Sequence, residues 1–274
     1  MVCAVQRVGQ RVMASWVGAF ALIALCALSG CASETPTLFT PERPIAASAF
    51  THDAWDRVLQ AHVRGERIDY AGIAQDPDFA SYIDSLNRVD PLQFATREAR
   101  LAFWINAYNA FAMRGLLGGY APTSLWGRQR FFVGHDHHVG GAPISLYSME
   151  RNLLIPTYQE ARMHFALFTG AASGPKIQPW AYRAESLAEQ LDHATREFVN
   201  DPERNRFDTE ARVAYLSQVF NWFAPEFIRQ GGSVVQFLRP YVEDAGVATA
   251  LKQTPHRIEY LPFDWSVPNR PRLK

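Results

Sequence analysis

Residues 101 to 113 read Leu-Ala-Phe-Trp-Ile-Asn-Ala-Tyr-Asn-Ala-Phe-Ala-Met. Thr96 stands ahead of the run as a helix cap, with Glu98 in the first turn, and Gly118-Gly119 comes after it as a stop. A helix apolar nearly all round cannot lie on a surface. It has to be wrapped on every side, so this segment predicts a central helix around which the rest of the chain is built.

The flanking sequence supplies that wrapping. Trp55, Val58, Leu59 and Val63 recur at helical spacing over 52–63, and Phe79, Tyr82, Ile83 and Leu86 mark a second helix with Pro77 near its first turn. Between them Arg67 to Tyr70 reads as extended. Residues 120–144 are rich in glycine and proline and predict loop with a hairpin. Ser145 caps a short helix to Leu154. Met163 to Phe168, a short apolar run, predicts a buried strand. Further helices are expected over 184–198, 218–228, 234–241 and 243–252, with strands at 212–216 and 257–265. The fold class is α+β: a single helix-rich domain with a small, mainly antiparallel sheet, spanning residues 50–274. A hydrophobic content of 48% supports a packed core of that size.

The amino terminus gives an address. Arg7 and Arg11 precede an apolar run from Ala14 to Leu28, which is the layout of a secretory leader over residues 1–30. The run falls short of the roughly 20 apolar residues that a membrane span needs. Leu28-Ser29-Gly30-Cys31 resembles the bacterial lipobox, which implies acylation of Cys31. Pro36, Pro41 and Pro44 mark residues 31–49 as a tether. Ala32 stands after the cysteine where an inner-membrane retention signal would carry Asp. The expected location is therefore the outer membrane of a bacterial envelope, lipid-anchored, with the domain facing the periplasm. A multiply acylated cysteine holds firmly, at about 0.8 kcal/mol per buried methylene. Without Arg7 and Arg11 the charges are 25 basic to 27 acidic, which leaves no basic footprint for nucleic acid. All three cysteines, Cys3, Cys26 and Cys31, precede residue 32, so the domain has no thiol and no disulfide.

Several segments together resemble one family, the domain of unknown function numbered 547. The central run Ala102-Phe-Trp-Ile-Asn-Ala-Tyr-Asn-Ala110 is similar to its hallmark, as are His164-Phe-Ala-Leu167, Phe220-Asn-Trp-Phe223 and Phe263-Asp-Trp265. The resemblance implies cysteines at positions 169 and 174, where this chain has Thr169 and Gly174. It implies histidines where Arg151 and Arg114 stand, Arg151 coming directly after Glu150. If those family positions form a thiol site like that of papain-type hydrolases or transglutaminases, this chain lacks both nucleophile and base. A threonine hydroxyl does not ionise as a thiol does, and an arginine cannot act as a base.

Three readings of function are open. In the first the chain is a non-catalytic relative that binds a peptide, small molecule or envelope protein in the old cleft. Asn106, Asn109, Glu150, Arg151, His164, Thr169 and Ser173 are then the remnants of the site. In the second, Ser173 or Thr169 replaces the thiol with His164 as base, in a hydrolase or acyl transferase. On a strand, residues 164 and 169 would face opposite ways. Asn106 and Asn109, three apart on the central helix, are expected to brace backbone rather than transfer protons. The third reading takes His135, His137 and His138 as metal ligands. Adjacent residues in a loop rarely converge on one ion, and no cofactor is expected.

Overall fold

The computed structural model describes residues 43–269. The leader, Cys31 and most of the tether lie outside the described residues. The chain opens with helix α1 (Asp53–His62), a two-residue hairpin of β1 (Val63–Arg64) and β2 (Arg67–Ile68), and helices α2 (Tyr70–Gln75) and α3 (Pro77–Arg88). The central helix α4 comes next (Arg97–Leu117). It is succeeded by α5 (Leu125–Arg128), the antiparallel hairpin β3 (His137–Val139) and β4 (Ala142–Ile144), and α6 (Ile155–Tyr158). Helix α7 (Leu187–Val199) leads into β5 (Arg206–Asp208) and β6 (Val213–Leu216). Helices α8 (Gln218–Trp222), α9 (Ala224–Gly231), α10 (Val234–Leu238) and α11 (Ala245–Gln253) precede the last strand, β7 (Arg257–Tyr260). In the three-stranded sheet β6 lies centrally, antiparallel to β5 and parallel to β7. The architecture is the expected α+β one, helix-rich with small sheets.

Helix α4 behaves as its sequence requires. The Thr96 hydroxyl caps it by accepting from the Ala99 N–H, and every residue from Leu101 to Met113 is buried. Its many alanines allow close approach of neighbours, while Phe103, Trp104, Tyr108 and Phe111 fill the space between them. Each such large side chain contributes about 1.5–3 kcal/mol through burial. A second hydrophobic cluster gathers around Phe165, Phe198, Phe220, Phe227 and Phe237.

One segment feeds both clusters. Residues Ala161–Phe165 form a 3₁₀ helix, not the expected strand. Glu160 caps it by accepting from the Arg162 N–H, and short apolar runs are ambiguous in periodicity. Met163 packs into the α4 cluster and Phe165 into the second one, with His164 between them. Other departures are smaller. Tyr70 begins a helix rather than ending an extended piece, with Asp69 as its cap. The expected helix over 218–228 breaks at Phe223 because Pro225 opens a new one.

Two helical stretches depart from α geometry in a way no periodicity reveals. Gln129–Val133 and Ser148–Leu154 are π-helical. Such turns are rare and often mark functional sites. No helix among the described residues is long and apolar enough to cross a membrane.

Candidate functional site

The two π-helical turns stand on the same cleft. It measures about 450 Å³, within the ordinary range for small-molecule sites. Arg128, Gln129, Phe132 and Val133 line it from the first turn, and Tyr147, Glu150 and Arg151 from the second. His164, Leu167 and Thr169 come from the 3₁₀ segment and the residues just beyond it. Val219, Trp222 and Phe223 come from α8 and its end, and Phe263 and Trp265 from the chain beyond β7.

The cleft has a polar end and an aromatic end. At the polar end His164 is buried and stacks on Phe223, with ring centroids 3.7 Å apart. The Arg151 guanidinium lies over the same Phe223 ring, 4.3 Å from its centroid. Glu150 Oε1 approaches His164 Nδ1 at 3.4 Å, close enough for an electrostatic contact but not aligned as a hydrogen bond. Neither ring nitrogen of His164 has a hydrogen-bond partner among the described residues. Buried polar atoms are rarely left so. Burial, and then the Glu150 charge, push the Tyr108 phenol well above its ordinary range. At the aromatic end Trp222, Phe263 and Trp265 form a three-ring cluster, with centroids 4.5–5.5 Å apart. Phe132 adds an edge to Trp265 at 6.2 Å, and the Arg128 guanidinium lies 4.8 Å from the Trp265 ring centroid.

Exposed apolar side chains concentrate here. Leu125, Val133, Tyr147 and Trp222 are four of the seven large hydrophobic residues that the described surface leaves exposed, and all four line this cleft. An exposed apolar patch rimmed by polar groups marks an interaction site, whereas scattered ones need no explanation.

The candidates named from sequence divide sharply. Glu150, Arg151, His164 and Thr169 share the cleft. Because the segment is not a strand, residues 164 and 169 reach one cavity after all. Thr169 does not reach the imidazole; its hydroxyl accepts from the Ala171 N–H at 3.4 Å. Ser173 lines a different cavity, of about 280 Å³, with Lys176, Arg204 and Asp264. Its hydroxyl accepts from the Asp264 N–H at 2.9 Å. Gly174 is buried beside Thr169, and a Cβ at that position would collide with Thr169 Oγ1.

Asn106 and Asn109 lie outside the cleft and do structural work. Asn106 donates to the Tyr182 carbonyl and accepts from the Tyr182 N–H. Asn109 donates to the Ala166 carbonyl and accepts from the Phe168 N–H. The central helix thereby fixes both the segment carrying His164 and the start of the α7 region.

The three histidines do not converge. His137 and His138 are neighbours on β3 and face opposite ways, one buried and one exposed. His137 Nδ1 takes the Arg114 guanidinium at 2.5 Å, and its ring stacks on Phe111 at 4.5 Å. Arginine only donates, so that nitrogen is the unprotonated acceptor. Burial, then Arg114, pull the His137 pKa down to about 2. His135 packs against Tyr120 and meets the His137 ring edge-on at 4.9 Å, while the exposed His138 points the other way. No group of three His, Cys, Asp or Glu suited to a metal occurs among the described residues.

Sequence reasoning names the polar end of the cleft and misses its aromatic wall. Phe263 and Trp265 are visible in sequence only as a motif. Their approach to Trp222 depends on the parallel pairing of β7 with β6, which carries the chain on past α8.

The fold and cleft together define a class: an α+β domain with an aromatic-walled pocket ending in a His–Glu–Arg group. Residues 92–199 match the model of a family described as a protein of unknown function, DUF547, and that match supports the family. It spans Arg128, Glu150, Arg151, His164 and Thr169, while the aromatic wall lies beyond it. No curated protein and no solved structure matches the chain.

Proposed function

We propose that this chain is an envelope-anchored lipoprotein, acylated at Cys31, whose domain binds a ligand in the cleft without performing chemistry on it. The observation that carries the binding part is the apolar surface left open at the cleft. Leu125, Val133, Tyr147 and Trp222 are exposed there, in a cleft that two π-helical turns shape. Exposed apolar side chains gathered in one patch mark an interaction site. The non-catalytic part rests on the absence of an activated nucleophile there. Nucleophile and base must lie within hydrogen-bond reach, and Thr169 is turned to its own loop while Ser173 faces another cavity. The family resemblance adds to this. Thr169 and Gly174 occupy the expected cysteine positions, and Arg151 an expected histidine. On this reading the pocket is a thiol site that has lost its thiol and kept its walls.

The test is turnover of a chromogenic butyrate ester by wild type, Thr169→Val and Ser173→Ala. The expected outcome is the same background rate in all three. A burst of product in wild type that Thr169→Val abolishes would make the chain a hydroxyl hydrolase. The anchor has its own test: labelled palmitate enters the wild-type chain and not Cys31→Ser.

A hydroxyl enzyme remains the second reading on one observation, the placement of Glu150, His164 and Thr169 in one cleft. A bound substrate would have to turn Thr169 toward the imidazole.

A further inference from the structure

We infer that the ligand is an apolar carboxylate, its head held by Arg151 and its tail lying along Trp222, Phe263 and Trp265. This rests on the reading of the cleft as a ligand site and names what fills it.

Charge selects the head group. Arg128 and Arg151 are both half-buried at the cleft. Among the described residues, neither guanidinium has an ion pair or hydrogen bond. Each lies over an aromatic ring, Arg151 over Phe223 and Arg128 over Trp265. The arginines that brace the fold are different. Arg162 pairs with Glu160 and Asp192, Arg183 with Asp53, and Arg204 with Asp201. An aromatic face satisfies the charge in part and leaves the planar N–H fork open. That fork fits a carboxylate in two parallel hydrogen bonds. The one acidic side chain of the cleft, Glu150, is turned to His164 at 3.4 Å, so an entering carboxylate meets the arginines.

The walls select the body of the ligand. Ten of the seventeen lining residues are apolar, and three of them form the ring cluster of Trp222, Phe263 and Trp265. A small inorganic anion would leave that wall against water. A hydrocarbon chain covers it, and each buried methylene raises affinity about fourfold. A bidentate bond from an arginine adds about tenfold or more over a neutral head.

The experiment is calorimetric titration of the full chain in neutral-phospholipid nanodiscs, with empty discs subtracted. The probes are octanoate, decanoate, octanol and octyltrimethylammonium. Octanoate is expected to bind about tenfold or more tightly than octanol or the cation. Decanoate should exceed octanoate by about 16-fold, two methylenes at fourfold each. Arg151→Met keeps the aliphatic stem over Phe223 and should bring octanoate and octanol to within about twofold. Arg151→Lys should restore part of the preference, which a mere loss of packing would not allow. Equal binding of acid, alcohol and cation overturns the inference, as does an unchanged acid preference in Arg151→Met. So does a lack of gain from octanoate to decanoate, or no heat from any probe. None of these results produces ester turnover, which is what would overturn the non-catalytic reading.

Discussion

Thr169 and Gly174 occupy one space: the threonine hydroxyl fills the volume that a side chain at 174 would need. Five residues apart, they are brought together by a turn in which the Gly174 N–H donates to the Ala171 carbonyl at 2.9 Å. Two side chains at these positions larger than the present pair would touch. The sizes of the side chains at 169 and 174 are therefore coupled.

That coupling is measurable. Gly174→Ala should destabilise the domain by about 1–3 kcal/mol, because the site is buried and overpacked by one methyl group. Thr169→Ala removes the obstructing hydroxyl. The double variant should recover about 1 kcal/mol relative to the sum of the single changes in urea unfolding. Strict additivity would mean that the two positions do not share space.

Asn106 and Asn109 each satisfy a backbone donor and a backbone acceptor from within the core. Truncating either to alanine leaves two buried peptide groups unpaired, at about 1–3 kcal/mol each. Urea midpoints should fall by an amount equivalent to about 2–6 kcal/mol. Ligand binding should survive in the folded fraction. A variant of normal stability that no longer binds ligand would place the amide in the site instead.

Two histidines set a pH dependence. Burial and Arg114 hold His137 at about 2, and burial with Arg183 holds His52 at about 3. An unfolded histidine titrates near 6.5. Below that value the unfolded chain binds more protons than the folded one, so stability is fully present above about pH 6.5. It is lost progressively as pH falls toward the folded values. Each group adds a slope of about 1.4 kcal/mol per pH unit. Urea midpoints measured from about pH 7.5 to about pH 4.5 should decline, and His137→Gln should make the decline shallower by about one proton. A midpoint that rises on acidification would contradict the burial of both rings.

Arg204 ties down the turn behind the site. It donates to the Ala172 and Gly174 carbonyls and pairs with Asp201. Arg204→Met should leave the two carbonyls unpaired, at about 1–3 kcal/mol each, while Lys176 still pairs with Asp201 at 3.1 Å. Amide exchange should speed up over residues 170–175 before it does so in α4. Uniform loss of protection would show that the residue supports the whole fold rather than that turn.

How much of this is legible in sequence depends on the range of the interaction involved. Helix α4 can be read because its run is long, its cap is local and its apolar surface leaves one place to put it. Ser145 is legible as a cap for the same local reason, and its hydroxyl accepts from the Ser148 N–H at 3.2 Å. The segment around His164 is not. Five residues carry too little periodicity to separate a strand from a 3₁₀ turn, and the deciding factor is that Met163 and Phe165 serve two different clusters. The difference has a consequence, because a strand would point His164 and Thr169 apart. The π-helical turns leave no signature in spacing. The aromatic wall needs the pairing of β7 with β6, which joins residues more than 40 positions apart. The family resemblance singles out positions 151, 164 and 169, which line one cavity. It says nothing of the neighbours that make that cavity suited to a ligand.

The central claim is that the cleft is a former thiol site now used to hold a ligand. Restoring its chemistry tests this most directly. With the three amino-terminal cysteines replaced, Thr169→Cys combined with Arg151→His leaves a single thiol beside a new imidazole. Its alkylation rate at neutral pH is compared with that of Thr169→Cys combined with Arg151→Met, because Arg151 left in place would itself favour the thiolate. The expected result is a thiol that reacts several-fold faster in the Arg151→His combination, because a neighbouring imidazole favours the thiolate. A sluggish thiol whose rate is indifferent to residue 151 would contradict the claim.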